Sequence, residues 1–411
     1  MKVLMFGWEF PPYKGGGLAT ACYDLTKGLA KHGISISFVM PHAGDDASAE
    51  FVKLIGTKDM SKKVKIKKID SLMMPYTSAE QYNYYYNKIK TGGTKGGNIY
   101  GKDLYEEVER FAKIGGMIAA EEEHEVIHAH DWMTYKAGIC AREVSGKPLV
   151  VHIHATEFDR TGDNPNTHIS KIEYMGLNEA DMIIANSNFT KDNVVRHYNV
   201  NPEKIKVVHW GIDHEKECYR VKQRSPFGAD KIVLFLGRLT LQKGPDYFME
   251  VANNVLKYEP NVKFVISGEG DMFPRLISRA AELGIADKVL FTGWLSGNDV
   301  NKAFQMADLY VMPSVSEPFG LVALESLRNG TPVIISKQSG VSEVLRNALR
   351  ADFWDIYGMT NKIVSVLRHR PLHRELTDHG FREVMKFNIY DPARKCIDAY
   401  NEAISRGGRK W

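Results

Sequence analysis

Residues 313–325 read Pro-Ser-Val-Ser-Glu-Pro-Phe-Gly-Leu-Val-Ala-Leu-Glu, two acids, Glu317 and Glu325, set eight positions apart. The apolar run Asp308-Leu309-Tyr310-Val311-Met312 before them has the composition of a buried parallel strand, and Leu321, Leu324 and Leu327 at helical spacing begin an amphipathic helix. Glu317 is therefore expected where the strand ends, and Glu325 about two helical turns further on. Pro318 suits a helix start, where a missing N–H costs nothing. Gly320 leaves the amides of Gly320, Leu321 and Val322 open to an anion such as phosphate, with Glu317 beside it to take sugar hydroxyls.

Outward from this turn, strand and helix patterns alternate almost throughout, which predicts an α/β fold of parallel sheets covered by helices. Strands are expected at Val3–Phe6, Ser35–Met40, Val126–His130, Leu149–His154, Met182–Asn186 and Ile205–His209 in the first half. In the second half they are expected at Ile232–Leu236, Lys263–Ser267, Val289–Thr292, Leu309–Met312 and Val333–Ile335. At 411 residues the chain is too long for one ordinary core. Two doubly wound domains are expected, 1–213 and 214–387, meeting near Gly211–Asp230, where Trp-Gly-Ile-Asp closes one half and a charged, proline-containing segment precedes the next strand. Residues 388–411 form a final helix and tail, with Tyr390, Ala393, Cys396, Ile397 and Tyr400 on one stripe.

A formal charge of +4 is too slight to imply nucleic-acid or membrane partners. The basic stretch Lys62–Lys68 alternates with apolar residues and reads as an exposed strand face. Cys22, Cys140, Cys218 and Cys396 are scattered without a Cys-x-x-Cys pair, which argues against structural zinc and a disulfide scaffold and fits a reducing cytoplasm. No long uncharged apolar run is present, so a soluble, cytoplasmic protein is expected. Tyr82, Tyr84, Tyr85, Tyr86 and Tyr100 interleave with glycines over 80–101, which reads as a loop whose aromatics either stack on sugar rings or pack locally.

Glu-Pro-Phe-Gly-Leu-Val-Ala-Leu-Glu resembles the Glu-x7-Glu signature of the retaining family-4 nucleotide-sugar glycosyltransferases, the group of the glycogen and starch synthases. The resemblance covers nearly the whole chain. It implies the GT-B arrangement, two Rossmann-like domains facing a cleft, with the final helix packed back on the first domain. It assigns Glu317 to the donor hexose hydroxyls and Glu325 to the nucleotide ribose. Gly237-Arg238-Leu239-Thr240-Leu241-Gln242-Lys243-Gly244 follows a strand, where open α/β sheets bind ligands, and matches the family's Gly-Arg-Leu…Gln-Lys-Gly pattern. Arg238 and Lys243 thus correspond to the donor diphosphate ligands. Lys14-Gly15-Gly16-Gly17-Leu18-Ala19 resembles the synthase motif that meets donor phosphate and acceptor, giving Lys14, Gly16 and Gly17 to the donor side; Thr20 breaks the dinucleotide fingerprint.

His128-Ala129-His130-Asp131-Trp132 resembles the synthases' His-x-His-Asp-Trp, which places Asp131 and Trp132 beside the acceptor cleft. The clustered histidines invite a zinc reading, set aside because no third ligand has an evident spacing. His154 matches the family's active-site histidine, lying against the donor sugar, and His152 reads as a hydrogen-bonded strand histidine. Asn186-Ser187 is either a helix cap or the family's Asn-Ser loop. Ser339–Glu343 matches the loop near the donor's base, but Ser339 stands where the family often has glycine, and Asn347–Asp355 replaces the usual glycine-rich segment.

The resemblance implies a metal-independent, retaining hexosyltransferase that takes glucose from ADP-glucose or UDP-glucose to an α-1,4-glucan. No cofactor or metal is expected, because cations and helix ends hold the departing diphosphate, and no Asp-x-Asp motif is present. Rival readings are a transferase acting on a small acceptor such as a sugar phosphate, a nucleotide-sugar epimerase of the same fold, and a silent sugar-binding protein. The sequence leaves the oligomeric state open.

Overall fold

The computed structural model describes residues 1–10, 16–41, 104–215, 223 and 226–406, and the backbone of 53–56. Lys14, the Lys62–Lys68 stretch, the tyrosine-rich segment 80–101 and Cys218 lie outside these residues.

Short apolar runs, the central ones buried on both faces, form two wholly parallel sheets. The first contains β1 (Lys2–Phe6), β2 (Ser35–Met40), β3 (Lys53–Gly56), β4 (Val126–His130), β5 (Leu149–Ile153), β6 (Met182–Ala185) and β7 (Ile205–Val207) in the order β3-β2-β1-β4-β5-β6-β7. The second contains β8 (Lys231–Leu236), β9 (Val262–Ser267), β10 (Val289–Gly293), β11 (Leu309–Met312), β12 (Val333–Ser336) and β13 (Leu349–Ala351) in the order β10-β9-β8-β11-β12-β13. Every residue of β4, β5, β6, β11 and β12 is buried, as continuous Val/Ile/Leu runs in parallel sheets should be.

Two edge strands escaped the sequence reading. β3 follows no long apolar run, and β13, Leu-Arg-Ala, is three residues long with only Ala351 buried. An edge strand of that length has too little burial to imprint a pattern.

Strand order reverses between β1 and β4 in the first sheet and between β8 and β11 in the second. Ligands of open parallel sheets bind outside the carboxyl ends of strands at such reversals. The segments that follow these four strands carry Glu9 and Gly16, Asp131 and Trp132, Arg238 and Lys243, and Glu317, so topology alone collects most of the residues singled out by motif.

The helix Tyr390–Arg406 lies on the first sheet against the helix Gly17–Lys31. Ala393, Cys396 and Tyr400 of the expected stripe are buried, in a cluster that runs from Val3 and Leu25 to Leu234 and Tyr310 of the second sheet. The two sheets also touch through polar bonds. Ser187 Oγ donates to Pro318 O at 2.6 Å, and Ser316 Oγ to Asp159 Oδ1 at 2.6 Å. Glu343 accepts from the amides of Asn188 (3.0 Å) and Phe189 (2.7 Å), closing the start of the Asn188–Tyr198 helix from the opposite lobe.

Candidate active site

In the second lobe, the turn after β8 and the turn after β11 interlock. Gly244 has φ 65°, and a Cβ there would lie 2.3 Å from Pro313 O, so only glycine lets the Leu241–Lys243 turn approach so closely. Gln242 O accepts from Val315 N at 2.9 Å, and Gln242 Oε1 accepts from Arg238 Nη2 at 3.1 Å. The result is that Lys243 Nζ meets both oxygens of Glu317, at 2.7 and 2.9 Å, while Ser314 Oγ donates to Glu317 Oε2 at 3.0 Å. Glu317 is only 7% exposed. Its backbone bridges Ser339, so the Ser339–Glu343 segment is fixed to the same turn.

Gly320, at φ 108°, begins the helix Leu321–Arg328 with no side-chain cap. A Cβ on it would crowd Met312, Glu317 and Val341 between 3.1 and 3.2 Å, so the residue must be glycine. Leu321 and Val322 thus start a helix whose amides face outward at its positive end, suited to phosphate. Glu325 is half-buried one to two turns on, and together with Glu317 it lies near the buried Tyr310 hydroxyl, whose pKa burial and then these acids push far up.

In the first lobe, burial favours the neutral forms of Glu9 and of the histidines on β4, on β5 and just after β5. Gly16 precedes the helix Gly17–Lys31 without a side-chain cap, and Cβ atoms on Gly16 or Gly17 would meet open space. Gly16 N donates to Glu9 Oε2 at 3.1 Å. Glu9 is 5% exposed, Oε1 has no hydrogen-bond partner among the described residues, and burial raises its pKa to about 8 against the pull of Gly16 N–H and the Arg238 charge. At neutral pH this acid is protonated. The motif reading overlooked Glu9; its signal is an acid just beyond the first buried strand, at the carboxyl end of β1.

Asp131 has φ 57°, uncommon for a residue other than glycine. That conformation turns its fully buried carboxylate so that Oδ1 accepts from His154 N at 2.7 Å and Oδ2 lies 3.7 Å from Arg160 Nη2. Asn186 Nδ2 donates to His154 O at 3.0 Å, so both backbone groups of His154 are held. The His154 ring stacks on Trp210 at 5.4 Å, and burial followed by the Arg160 charge lowers its pKa to about 3. Trp132 is buried, packed toward Tyr105 at 6.4 Å. Ser187 does two jobs: its oxygen caps Thr190 N at 3.0 Å and also reaches Pro318 across the lobes.

His152 departs from expectation. It reads as a hydrogen-bonded strand histidine, yet neither of its ring nitrogens has a partner, because the same face of β4 and β5 is filled by the rings of His128, His130 and His154 and by Trp210.

The segment 2–221 matches the family described as Starch synthase catalytic domain, and 220–379 matches Glycosyl transferases group 1. An uncharacterized glycosyltransferase of Methanocaldococcus jannaschii is 30% identical, the match covering all of both chains. A D-inositol 3-phosphate glycosyltransferase of Mycobacterium sp. strain KMS is 30% identical over 75% of each chain. The solved structure of the Anabaena protein HepE in complex with UDP and glucose superposes with a TM-score of 0.68 at 17% identity, covering 98% of this chain and 99% of that one. The two facing parallel-sheet domains are the GT-B fold, and the chain belongs to the glycosyltransferases, enzymes that transfer sugars.

Proposed function

We propose that the chain is a retaining hexosyltransferase that moves glucose from a nucleotide-diphosphate sugar to the non-reducing end of an α-1,4-glucan. The observation that carries this reading is the meeting of Lys243 and Glu317 at 2.7 Å beside the Gly320 helix start. A cation and a helix end suited to a departing diphosphate are joined there to an acid suited to hexose hydroxyls. Residues 214–387 then hold the donor, residues 1–213 serve the acceptor, and the final segment packs back on the first lobe through the helix Tyr390–Arg406.

In this reading the C1–oxygen bond to the diphosphate breaks as an acceptor hydroxyl attacks C1 from the same face, and the hydroxyl proton passes to the leaving phosphate oxygen. Arg238, Lys243 and the amides of Gly320, Leu321 and Val322 stabilise the growing phosphate charge, aided by Lys14, Gly16 and Gly17 from the first lobe. No divalent ion is needed at the diphosphate. Glu317 orients the hexose, and Glu325 takes the ribose. The carbonyl or the ring of His154 lies against the donor sugar, the residue being held by Asn186, Asp131 and Trp210. Protonated Glu9 leaves the glycine turn free of a negative charge that would repel the donor. Asp131 and Trp132, both buried, shape the acceptor side from beneath.

A second reading, transfer to a small phosphorylated acceptor, is favoured by the 30% identical relative that bears an inositol phosphate transferase name. Nucleotide release from ADP-glucose and UDP-glucose, followed with glucan, with inositol phosphate, with a hexose phosphate and with no acceptor, separates the two. Glucan-dependent release with chain extension supports the first reading. Release only with a small acceptor replaces it.

A further inference from the structure

Four histidines project from one face of β4 and β5. His130 pairs in register with His152, His128 precedes it by two positions and His154 follows, so strand alternation stacks all four rings. Their centroids lie 4.2 to 5.4 Å apart. Three of the rings have one nitrogen engaged: His128 Nδ1 with Tyr400 OH at 2.7 Å, and His130 Nδ1 with His154 Nε2 at 2.9 Å. Those bonds leave His128 Nε2 and His130 Nε2 without partners, and both nitrogens of His152 are unpartnered as well. All three side chains are at most 1% exposed. Leaving polar nitrogens unsatisfied in a core is costly, each on the order of 1–3 kcal/mol in general experience, so this many in one spot calls for an occupant.

We propose that His128, His130 and His152 form a buried site for a late first-row transition ion, of which Zn²⁺ is the probe. One ligand nitrogen from each of the three lies within 4.8 Å of the others. Around zinc such nitrogens stand roughly 3.4 Å apart, so binding draws the three rings together and turns them out of their stack. Imidazole suits zinc, copper and nickel, and only its neutral form ligates. Burial holds all three rings neutral. The hydrogen bond at His128 Nδ1 is the outer contact that characteristically orients a metal-bound histidine, and it comes from the C-terminal helix. The buried Cys22 sulfur lies within 4.8 Å of ligand atoms of His130 and His154, and burial holds it as the thiol. The spacing argument that set zinc aside in the sequence fails because the third ligand comes from the neighbouring strand. The site ties β4, β5 and the helix Tyr390–Arg406 together directly beneath His154.

The test uses the full chain, stripped with a chelator and dialysed, then titrated with Zn²⁺ against a chromophoric competitor. The proposal expects about one tightly held Zn²⁺ per chain and a Tm that rises with zinc. His152→Phe should weaken binding by at least about tenfold. The substitution keeps the stack on Trp210 and removes no hydrogen bond, so a histidine that merely packs would be replaced without any effect on metal. If this variant does not fold, as judged by circular dichroism, His152→Gln is read in the same way. His379→Ala removes an exposed histidine paired with Glu375 and should leave binding unchanged. Wild-type protein that holds no zinc more tightly than about 10 µM, retention of full affinity in His152→Phe, or loss of binding in His379→Ala would each overturn the proposal.

Discussion

The two strand-order reversals that face each other gather different side chains. At β8/β11, the ion pair of Lys243 with Glu317 and the hydrogen bonds of Arg238 to Gln242 and of Ser314 to Glu317 hold the polar side chains in one set. At β1/β4, the titratable groups Glu9, His128, His130, His152 and His154 are driven to their neutral forms by burial. In the proposed reading the diphosphate meets fixed cations and a helix end, with Glu317 beside them for the hexose hydroxyls. The difference teaches that two lobes of one fold can treat ionisable groups differently, and in the proposed reading the ion-paired turn of the second lobe is the one that meets the donor diphosphate.

The harshest way to break this comparison is to remove a cation from the charged side. Lys243→Ala and Arg238→Ala should each lower kcat/KM by about two orders of magnitude, the effect of losing roughly 3 kcal/mol of transition-state stabilisation. Lys243→Ala carries an added cost, because it leaves the Glu317 carboxylate buried with Ser314 but without its cation. Steady-state kinetics and a melt on the same preparation separate the two effects. A variant with near-normal kcat/KM removes that residue from the leaving-group role.

Much of this layout was legible in the sequence, and for identifiable reasons. Long apolar runs ending in Gly-Arg, Glu-Pro or His-Asp announce both the strand and the residue at its carboxyl end, so Arg238, Glu317 and Asp131 could be placed before any coordinates. Glu9 could not, because its meaning lies in burial, which one acid after one strand does not reveal. The ion pair between Lys243 and Glu317 spans 74 positions and depends on Gly244 passing close to Pro313 O, a contact that no local pattern encodes. The same holds for the histidine stack, which requires the register of β4 on β5.

A sharper form of the comparison concerns Glu9 on the neutral side. Its carboxyl titrates near 8 when folded against an ordinary 4.5, so the folded chain keeps a proton that the unfolded chain has released. Stability therefore falls as pH rises from 4.5 to 8, by up to about 1.4 kcal/mol per pH unit, and is level above that window. Glu9→Gln mimics the protonated acid. Its melting temperature should exceed wild type by a margin that widens between pH 5 and pH 8 and then stops growing. A margin independent of pH would mean that Glu9 is ionised in the fold.

The smallest effect is expected at the seam between the lobes. Burial pushes the Glu343 carboxyl up, but hydrogen bonds from His209, Asn188 and Phe189 outweigh it and hold the pKa below the usual value. Stability from this contact is present at neutral pH and lost as pH falls through that lowered pKa. Glu343→Gln should cost about 1 kcal/mol at pH 7, the ordinary worth of a helix cap, and less in acid. Denaturant titrations at pH 7 and pH 4 check this, and an equal cost at both would place the stabilisation outside the ionised carboxylate.

The most direct measurement is calorimetric titration of ADP and UDP at pH 7 into wild type, Lys243→Ala and Glu9→Gln. If charge on the second lobe holds the diphosphate and Glu9 is already neutral, Lys243→Ala loses affinity by about tenfold or more while Glu9→Gln binds as wild type does. Nucleotide affinity that survives in Lys243→Ala, or that collapses in Glu9→Gln, would contradict the division of labour between the lobes.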